Sequence, residues 1–593
     1  MNKLTSLLIV GLLIPLFGMS EIMYSVSFKE SNSHYVQITM STHVTKGEAL
    51  MAKMPVWAPG SYKVRDFSQN VDAFNATIGS DKKECVVERI TKNSWKVTAE
   101  KSGIIELTYK VYAFDLGVRT SYVDQYMAFL HGTSAFMYLA GKENDAIVLE
   151  IIPNSQWQNV EVSLPKIKGA VHQYSCVNYD LLADSPMALG NFDIGNYKSG
   201  NVDHKVVMIG TGNYQMDKIV ADFKLITDKE VDLFGDHPSP QYIHFIQNVD
   251  NGGGGLEHLN SQTSQFNRFS YTDETKYRNF LGLIAHEYFH LWNVKRIRPI
   301  ELGPFNYENE NYTDMLWVAE GITSYYDDLF LRRVGLHTNE TYLSAVATNI
   351  NRLQNQPGRA VMNLVESSKL AWVKAYLPNE NSNNVTISYY NKGMLVAWML
   401  DMEIMERTTG KKRLDDVMRM LYERFYKQQD RGFTHQEFKD VCSDVAGSSL
   451  KAFFDDNVHG TEEITYQKYL DLTGIELVNT PSTKSSIGVK VKSENGKCVI
   501  TYIHPKGSAL ASGLSVNDEI IAIDDWRVKG ELTDDLNRYQ AEDKVVILYN
   551  RDGKLRSVDC TIEKDGEVNY KVAVKAEQTE TQKKYFELWM GGK

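Results

Sequence analysis

His286 and His290 stand four residues apart in the run Leu283-Ile-Ala-His286-Glu287-Tyr-Phe-His290-Leu-Trp292-Asn293. On a helix, positions i and i+4 share a face one turn apart, so both imidazoles can reach one ion. Glu287, next to the first histidine, can reach a water on that ion and take its proton. The spacing is that of zinc-assisted hydrolysis. A catalytic zinc takes three protein ligands and keeps one position open. The best third donor is Glu320, in Trp317-Val-Ala-Glu320-Gly321-Ile-Thr-Ser-Tyr325-Tyr326, because a carboxylate amid so apolar a segment is costly unless it is paired or bound to a cation. Thirty residues separate it from His290, enough for a loop and a returning helix. The expected centre is one Zn2+ on His286, His290 and Glu320, with Glu287 as general base.

Two further clusters complete the chemistry. In Gly252-Gly-Gly-Gly-Leu-Glu257-His258, Gly254 and Gly255 permit close approach of an extended peptide, and Glu257 beside that edge can hold a free α-amino group. The alternative is a flexible surface loop. In Ser388-Tyr389-Tyr390-Asn391-Lys392-Gly393, the hydroxyl of Tyr390 can hydrogen-bond an oxyanion next to the ion. By itself this run reads equally as a core or surface tyrosine. Arg296 and Arg298 follow the metal helix; they meet a substrate carboxylate or loop acids, or they form ordinary surface ion pairs.

These residues need elements to hold them. A chain of 593 residues exceeds one core and divides into three or four units. Residues 1–20 read as an export signal, with Lys3 ahead of an apolar run from Leu7 to Phe17 and small residues at Gly18 and Ser20. The expected location is periplasmic or extracellular, with no membrane span after signal removal. Residues 21–195 alternate like strands and form an N-terminal β domain. Residues 196–478 form the catalytic domain. After a strand-like stretch at 204–209, helical spacing dominates over 279–296, 314–333, 340–355, 392–408 and 413–426. Residues 479–575 carry short strands with Asn495-Gly496 and Asp552-Gly553 turns. Residues 576–593 read as a polar, loosely held C-terminal tail. The fold class is multidomain α+β: a sandwich-like β domain, a thermolysin-like, mainly helical catalytic domain, and a small C-terminal β module. A net charge of −11 argues against a nucleic-acid partner. Five scattered cysteines without a Cys-x-x-Cys exclude a thiolate metal site, and Cys498 and Cys560 are either paired or buried free thiols.

The motifs together bear a family likeness. His286-Glu287-x-x-His290 followed by Glu320-Gly321 resembles the gluzincin zinc peptidases, and Glu257 with Tyr390-x-Lys392-Gly393 is similar to the aminopeptidase N arrangement. The chain resembles the glycyl aminopeptidase family more closely, through Trp57-Ala-Pro-Gly-Ser-Tyr62, Gly-Gly-Leu-Glu257-His258 and His-Glu-x-x-His-x-Trp-Asn-Val-Lys-Arg296. This likeness implies cleavage after a small N-terminal residue, Gly or Ala, in peptides with a free N-terminus. The segment Ile487-Gly488-Val489 with Gly507-Ser-Ala-Leu and Gly513-Leu-x-x-Asn517-Asp-Glu-Ile looks like a PDZ domain. Its N–H groups around Ile487, Gly488 and Val489 are the candidates for a C-terminal peptide carboxylate. A module that only packs on the peptidase is the alternative. In one respect the chain departs from thermolysin-like relatives: four residues after Glu320, where an acid supports the first histidine, it has Ser324, so another group must orient His286. The gap before Glu320 implies an inserted loop near 299–312 bordering the cleft. Two other functions compete: a zinc endopeptidase of the same chemistry, and a PDZ scaffold with a vestigial metal site.

Overall fold

The computed structural model describes residues 21–529 and 531–591, so the expected signal over 1–20 lies outside the described residues. The chain forms two compact units. One runs to Ala58 and continues over Arg65–Phe192; the other comprises Pro59–Val64 and Asp193–Lys593. The first unit holds a seven-stranded sheet and two four-stranded sheets. Its ten-residue strands Glu21–Glu30, Tyr35–Val44 and Gly103–Tyr112 show the two-residue burial period of half-buried sheets. Tyr24, Val36, Ile38 and Tyr109 thus face its core and are fully buried.

The second unit is built on a five-stranded sheet. Its strands are β1 (Asp193–Ser199), β2 (Val202–Ile209), β3 (Gln241–Val249), β4 (Gly255–Glu257) and β5 (Ser261–Asn267), in the order β1-β2-β3-β5-β4. β2, β3 and β5 run parallel, whereas the short edge strand β4 is antiparallel to β5. Helices α1 (Met216–Phe234) and α2 (Glu274–Phe289) precede α3 (Ile322–Arg333), the single turn α4 (Ser382–Val385) and α5 (Asn391–Arg407). Phe223 and Ile226 of α1, Ile246 of β3, Phe280 and Ile284 of α2, and Leu331 of α3 share one buried cluster. Asp273 caps α2 by accepting from the N–H groups of Thr275 and Lys276. The helical spacing read over 279–296 overruns the real helix, which stops at Phe289. Residues 291–293 continue as buried turns because Trp292 packs on Phe234 at 4.6 Å instead of extending the helix face.

Beyond the helices, β6 (Val489–Glu494) and β7 (Lys497–Ile503) open the C-terminal module, joined by the Asn495-Gly496 turn with both φ angles positive. Its core contains Ile487, Ile500, Ile520 and Ile547. The entering strand Ile475–Asn479 pairs antiparallel with the leaving strand Tyr570–Val574. Asn351 and Asn355 each bond the leaving segment in both directions, to the N–H and C=O of Tyr570 and of Val568.

One expectation is corrected here. The stretch read as a loosely held tail contains a helix, α6 (Glu580–Gly591), with Trp589 fully buried and its Nε1 donating to Tyr325 Oη at 3.1 Å. Arg413 Nη1 also donates to Leu588 O at 2.6 Å. The polar composition hid three buried anchors, Tyr585, Trp589 and Met590. Cys498 and Cys560 are not bridged; all five cysteines are buried and free. Among the described residues, no helix is long and apolar enough to cross a membrane.

Candidate metal centre

The two histidines and Glu320 converge. Glu320 Oε2 lies 3.3 Å from His286 Nε2 and 3.2 Å from His290 Nε2. Donors about 2.0–2.1 Å from a tetrahedral zinc lie about 3.3–3.4 Å from one another. Both distances from Glu320 therefore match edges around such an ion, and the three donor atoms all lie within 4.8 Å of one another. Both rings are turned for it. His286 Nδ1 donates to Asp327 Oδ2 at 3.1 Å and His290 Nδ1 donates to Asn293 O at 2.6 Å, because a carboxylate or carbonyl can only accept. In each ring Nε2 is thereby left to face Glu320, as metal-binding imidazoles require.

Local backbone features bring these groups together. Glu320 lies on a π-helical turn, Trp317–Gly321, whose wider winding frees carbonyl groups. Asn293 Nδ2 meets that need, donating to Val318 O at 2.9 Å and Ala319 O at 3.0 Å. One residue thus fixes His290 through its carbonyl and the Glu320 turn through its amide. Gly321 and Gly393 pack backbone to backbone; a Cβ on Gly321 would lie 2.5 Å from Gly393 Cα. This crossing brings the start of α5, with Tyr390, beside the metal helix. The Tyr390 ring is 6.2 Å from that of His286, roughly parallel to it. The group that orients His286, which sequence reasoning did not find, is Asp327. It stands seven residues after Glu320, two helical turns on, and so shares its face.

A second acidic cluster adjoins the first. Donor atoms of Glu257, Glu287 and His290 all lie within 4.8 Å of one another. Glu257 ends the edge strand β4 and is buried. Gly255 and Gly60 are required for space: a Cβ on Gly255 would lie 2.3 Å from Glu287 Oε1, and one on Gly60 would lie 2.4 Å from Glu257 Oε1. Gly254 is required for its conformation, with φ +80° and open space around it. Burial and the neighbouring acids Glu257 and Glu320, offset in part by the two histidines, push the Glu287 carboxyl up to about 7. Burial acts the same way on Glu320, but His290 and His286 outweigh it and hold that carboxyl at about 2. Burial opposes protonation of both rings, yet Asp327 and Glu320 raise His286, and Glu320 raises His290. Burial and the charge of Glu320 keep Tyr390 protonated, able to donate.

Residues 279–396 match the family described as M61 glycyl aminopeptidase. Residues 23–191 match the Peptidase M61 N-terminal domain, and residues 485–562 match a PDZ domain. Two stretches of the chain thus match models of one family, the M61 glycyl aminopeptidases. The chain is a metallopeptidase. A crystal structure of an aminopeptidase N family protein from Idiomarina loihiensis is similar at 29% identity and TM-score 0.89, over 96% of this chain and 100% of that one. An M1 zinc metallopeptidase from Deinococcus radiodurans is similar at 12% identity and TM-score 0.46, over 75% of this chain and 95% of that one. No curated protein matches.

The remaining sequence candidates have other surroundings. Arg296 is not at the surface. It is buried, and its guanidinium donates to Leu259 O, Leu291 O and Ser239 Oγ. In the PDZ module, Ile487 is buried with its carbonyl accepting from Ala509, and the Gly488 N–H donates to Ser486 Oγ at 3.0 Å. Val489 begins the edge strand β6.

Lys392 is buried with Nζ donating to Gly460 O at 3.3 Å, and burial lowers it from 10.5 to about 8. Between those values the unfolded chain binds the proton and the folded chain does not, so stability rises with pH across that window. Relative to Lys392→Met, the unfolding free energy of the native chain is expected to increase by about 3 kcal/mol from pH 8 to 10.5. Paired denaturant titrations at both pH values measure it; parallel behaviour of the two proteins would refute it.

Proposed function

We propose that the chain is a zinc aminopeptidase with one ion, releasing a small N-terminal residue, glycine or alanine, from peptides. The observation that carries this reading is the position of Glu257 against Glu287 and His290, with donor atoms within 4.8 Å of one another. In an N-terminal residue the amine nitrogen and the carbonyl carbon are two bonds apart, about 2.5 Å. A carboxylate this close to the hydrolytic base therefore fits an ammonium group one Cα from the attacked carbonyl. An internal peptide bond would bring an uncharged N–H to a buried anion, which is costly. Crowding supports a small side chain. Gly60 and Gly255 have no room for a methyl group, and buried Tyr62 packs 5.6 Å from Trp372 and 6.3 Å from Tyr376.

His286, His290 and Glu320 would hold the zinc, which when bound supplies a Lewis acid for water and the carbonyl oxygen. Glu257 binds the substrate ammonium. Glu287 takes the proton of the attacking water and passes it to the departing amine. The Tyr390 hydroxyl donates to the oxyanion that develops on the attacked carbonyl. Asp327 and Asn293 keep the two rings turned throughout.

A panel of aminoacyl amides, free and N-acetylated, with and without a chelator, tests the proposal. Glycyl and alanyl amides are expected to be cleaved fastest, acetylated ones not at all. Equal cleavage of acetylated and free substrates would sink the exopeptidase reading. Glu257→Ala is expected to lower kcat/KM on glycyl amide by about 10²-fold, mainly through KM, since it removes a buried charged hydrogen-bond partner of the amine. An unchanged KM in that variant would show that the amine binds elsewhere.

A further inference from the structure

The loop ahead of Glu320 takes no part in that chemistry, yet it is held in a way that serves one side chain. Asn311 and Thr313 are both buried. Asn311 Nδ2 donates to Asn306 O at 2.8 Å and to Asn309 O at 2.9 Å, and its Oδ1 accepts from the Asn306 N–H at 3.0 Å. Thr313 Oγ1 donates to Glu301 Oε2 at 3.2 Å. Buried polar groups are costly unless satisfied, so these bonds fix the loop in one conformation. Between the two anchors Tyr312 is turned outward and is 48% exposed. Its ring lies 6.3 Å from that of Trp372, which lies 5.6 Å from Tyr62, edge to face. Trp372 and Tyr62 are both buried. Burial, then the charges of Glu320 and Glu257, hold the Tyr62 hydroxyl protonated, so the inner end of this run adjoins the third metal donor and the acid assigned to the substrate amine. Three rings thus lead from the metal centre to an exposed ring on the loop.

We propose that Tyr312 is a specificity-determining residue, the open end of an aromatic wall that takes the side chain after the scissile bond, and that preferred substrates carry an aromatic or large aliphatic residue in second position. The proposal rests on the aminopeptidase reading. With Glu257 on the amine, the N-terminal residue stops at the closed end of the cleft, where Gly60 and Gly255 have no room for a methyl group. The leaving part must run the other way, toward solvent, and the exposed ring at the outer end of the wall is the one it meets. Ring faces carry negative charge density and attract the positive edges of other rings, which favours an aromatic side chain there. Val373, next to Trp372, is 52% exposed and adds apolar surface. Two acids of this stretch are engaged, Glu301 by Thr313 and Asp314 by His435 Nδ1 at 3.1 Å. Glu308 and Glu310 on the same loop are the groups that would favour a lysine instead, so a lysyl substrate belongs in the test.

The test compares the amides of glycyl-phenylalanine, glycyl-leucine, glycyl-serine and glycyl-lysine on the metal-loaded full chain. The phenylalanine substrate is expected to exceed the serine one in kcat/KM by about fivefold to tenfold, mainly through KM, with leucine between them. Tyr312→Ala is expected to bring that ratio to within about twofold of one, whereas Tyr312→Phe keeps it. Dissociation constants of the same amides on metal-loaded Glu287→Gln, in which hydrolysis is suppressed, read the wall without turnover and are expected to follow the same order. Equal rates and equal affinities for the phenylalanine and serine substrates would overturn the proposal. So would a ratio that survives in Tyr312→Ala, or fastest cleavage of the lysine substrate. Cleavage of none of the four, with the affinity order intact, would overturn the aminopeptidase reading and leave the wall standing.

Discussion

Replacing Glu287 with glutamine is expected to lower kcat by about 10³- to 10⁴-fold while metal content stays at the native level. Glutamine keeps the size of the side chain, so it still fits against Gly255, where no Cβ could be accommodated. It donates nothing to the triad of His286, His290 and Glu320, which therefore keeps its donors. What it loses is the ability to accept a proton. Without the ion, burial first and then the nearby acids push Glu287 up to about 7. A bound dication adds positive charge beside it and moves that value down again. Glu287 must be ionised to act, so kcat/KM of the native enzyme should climb with pH along an acid limb below 7. That limb should vanish in the glutamine variant. Elemental analysis with a pH–rate profile checks both parts. Activity within tenfold of native in a fully loaded variant would remove Glu287 from the mechanism.

The sequence made parts of this site legible for definite reasons. His286, Glu287 and His290 are joined by helix periodicity, which needs no tertiary information. Glu320 stood out as an acid in an apolar run. Tyr390 gained meaning only from the family likeness, because what places it is the contact of Gly321 with Gly393 in three dimensions. Asp327 is not marked by the four-residue pattern, since it is the seventh residue after Glu320 that serves the same helix face. Asn293 was visible in the motif, but its role depends on carbonyls exposed by a π-turn, which periodicity does not reveal. The Trp57-to-Tyr62 motif was assigned to the β domain, whereas Pro59–Val64 belongs with the second unit and Gly60 packs against Glu257. In the fold, β3 escaped notice because seven of its nine side chains are buried and leave no alternation. The terminal helix escaped because its chief anchor, Trp589, stands in a polar sequence.

Removing Glu320 should have the other large effect. In Glu320→Ala, metal affinity is expected to fall by more than about 100-fold, beyond the 10- to 100-fold typical of losing an outer hydrogen-bond partner such as Asp327. The reason is electrostatic as well as geometric. Two neutral rings hold a dication less well than two rings and an anion, and Glu320 is the charge held down at about 2 between them. The same change alters the proton balance. In the metal-free protein Asp327 and Glu320 raise His286, and Glu320 raises His290, against the effect of burial. An ion must displace those protons, so native affinity rises with pH until both rings are neutral and then levels off. Without Glu320, His290 loses the main group that raises it against burial and gives up its proton at lower pH, while Asp327 still raises His286, so the dependence flattens in part. Asp327→Asn should behave differently, with a moderate loss of affinity and most of the pH slope retained through His290. Chelator competition at several pH values, on protein verified as folded by circular dichroism, separates these cases. An affinity within tenfold of native in Glu320→Ala would mean that another group supplies the third donor.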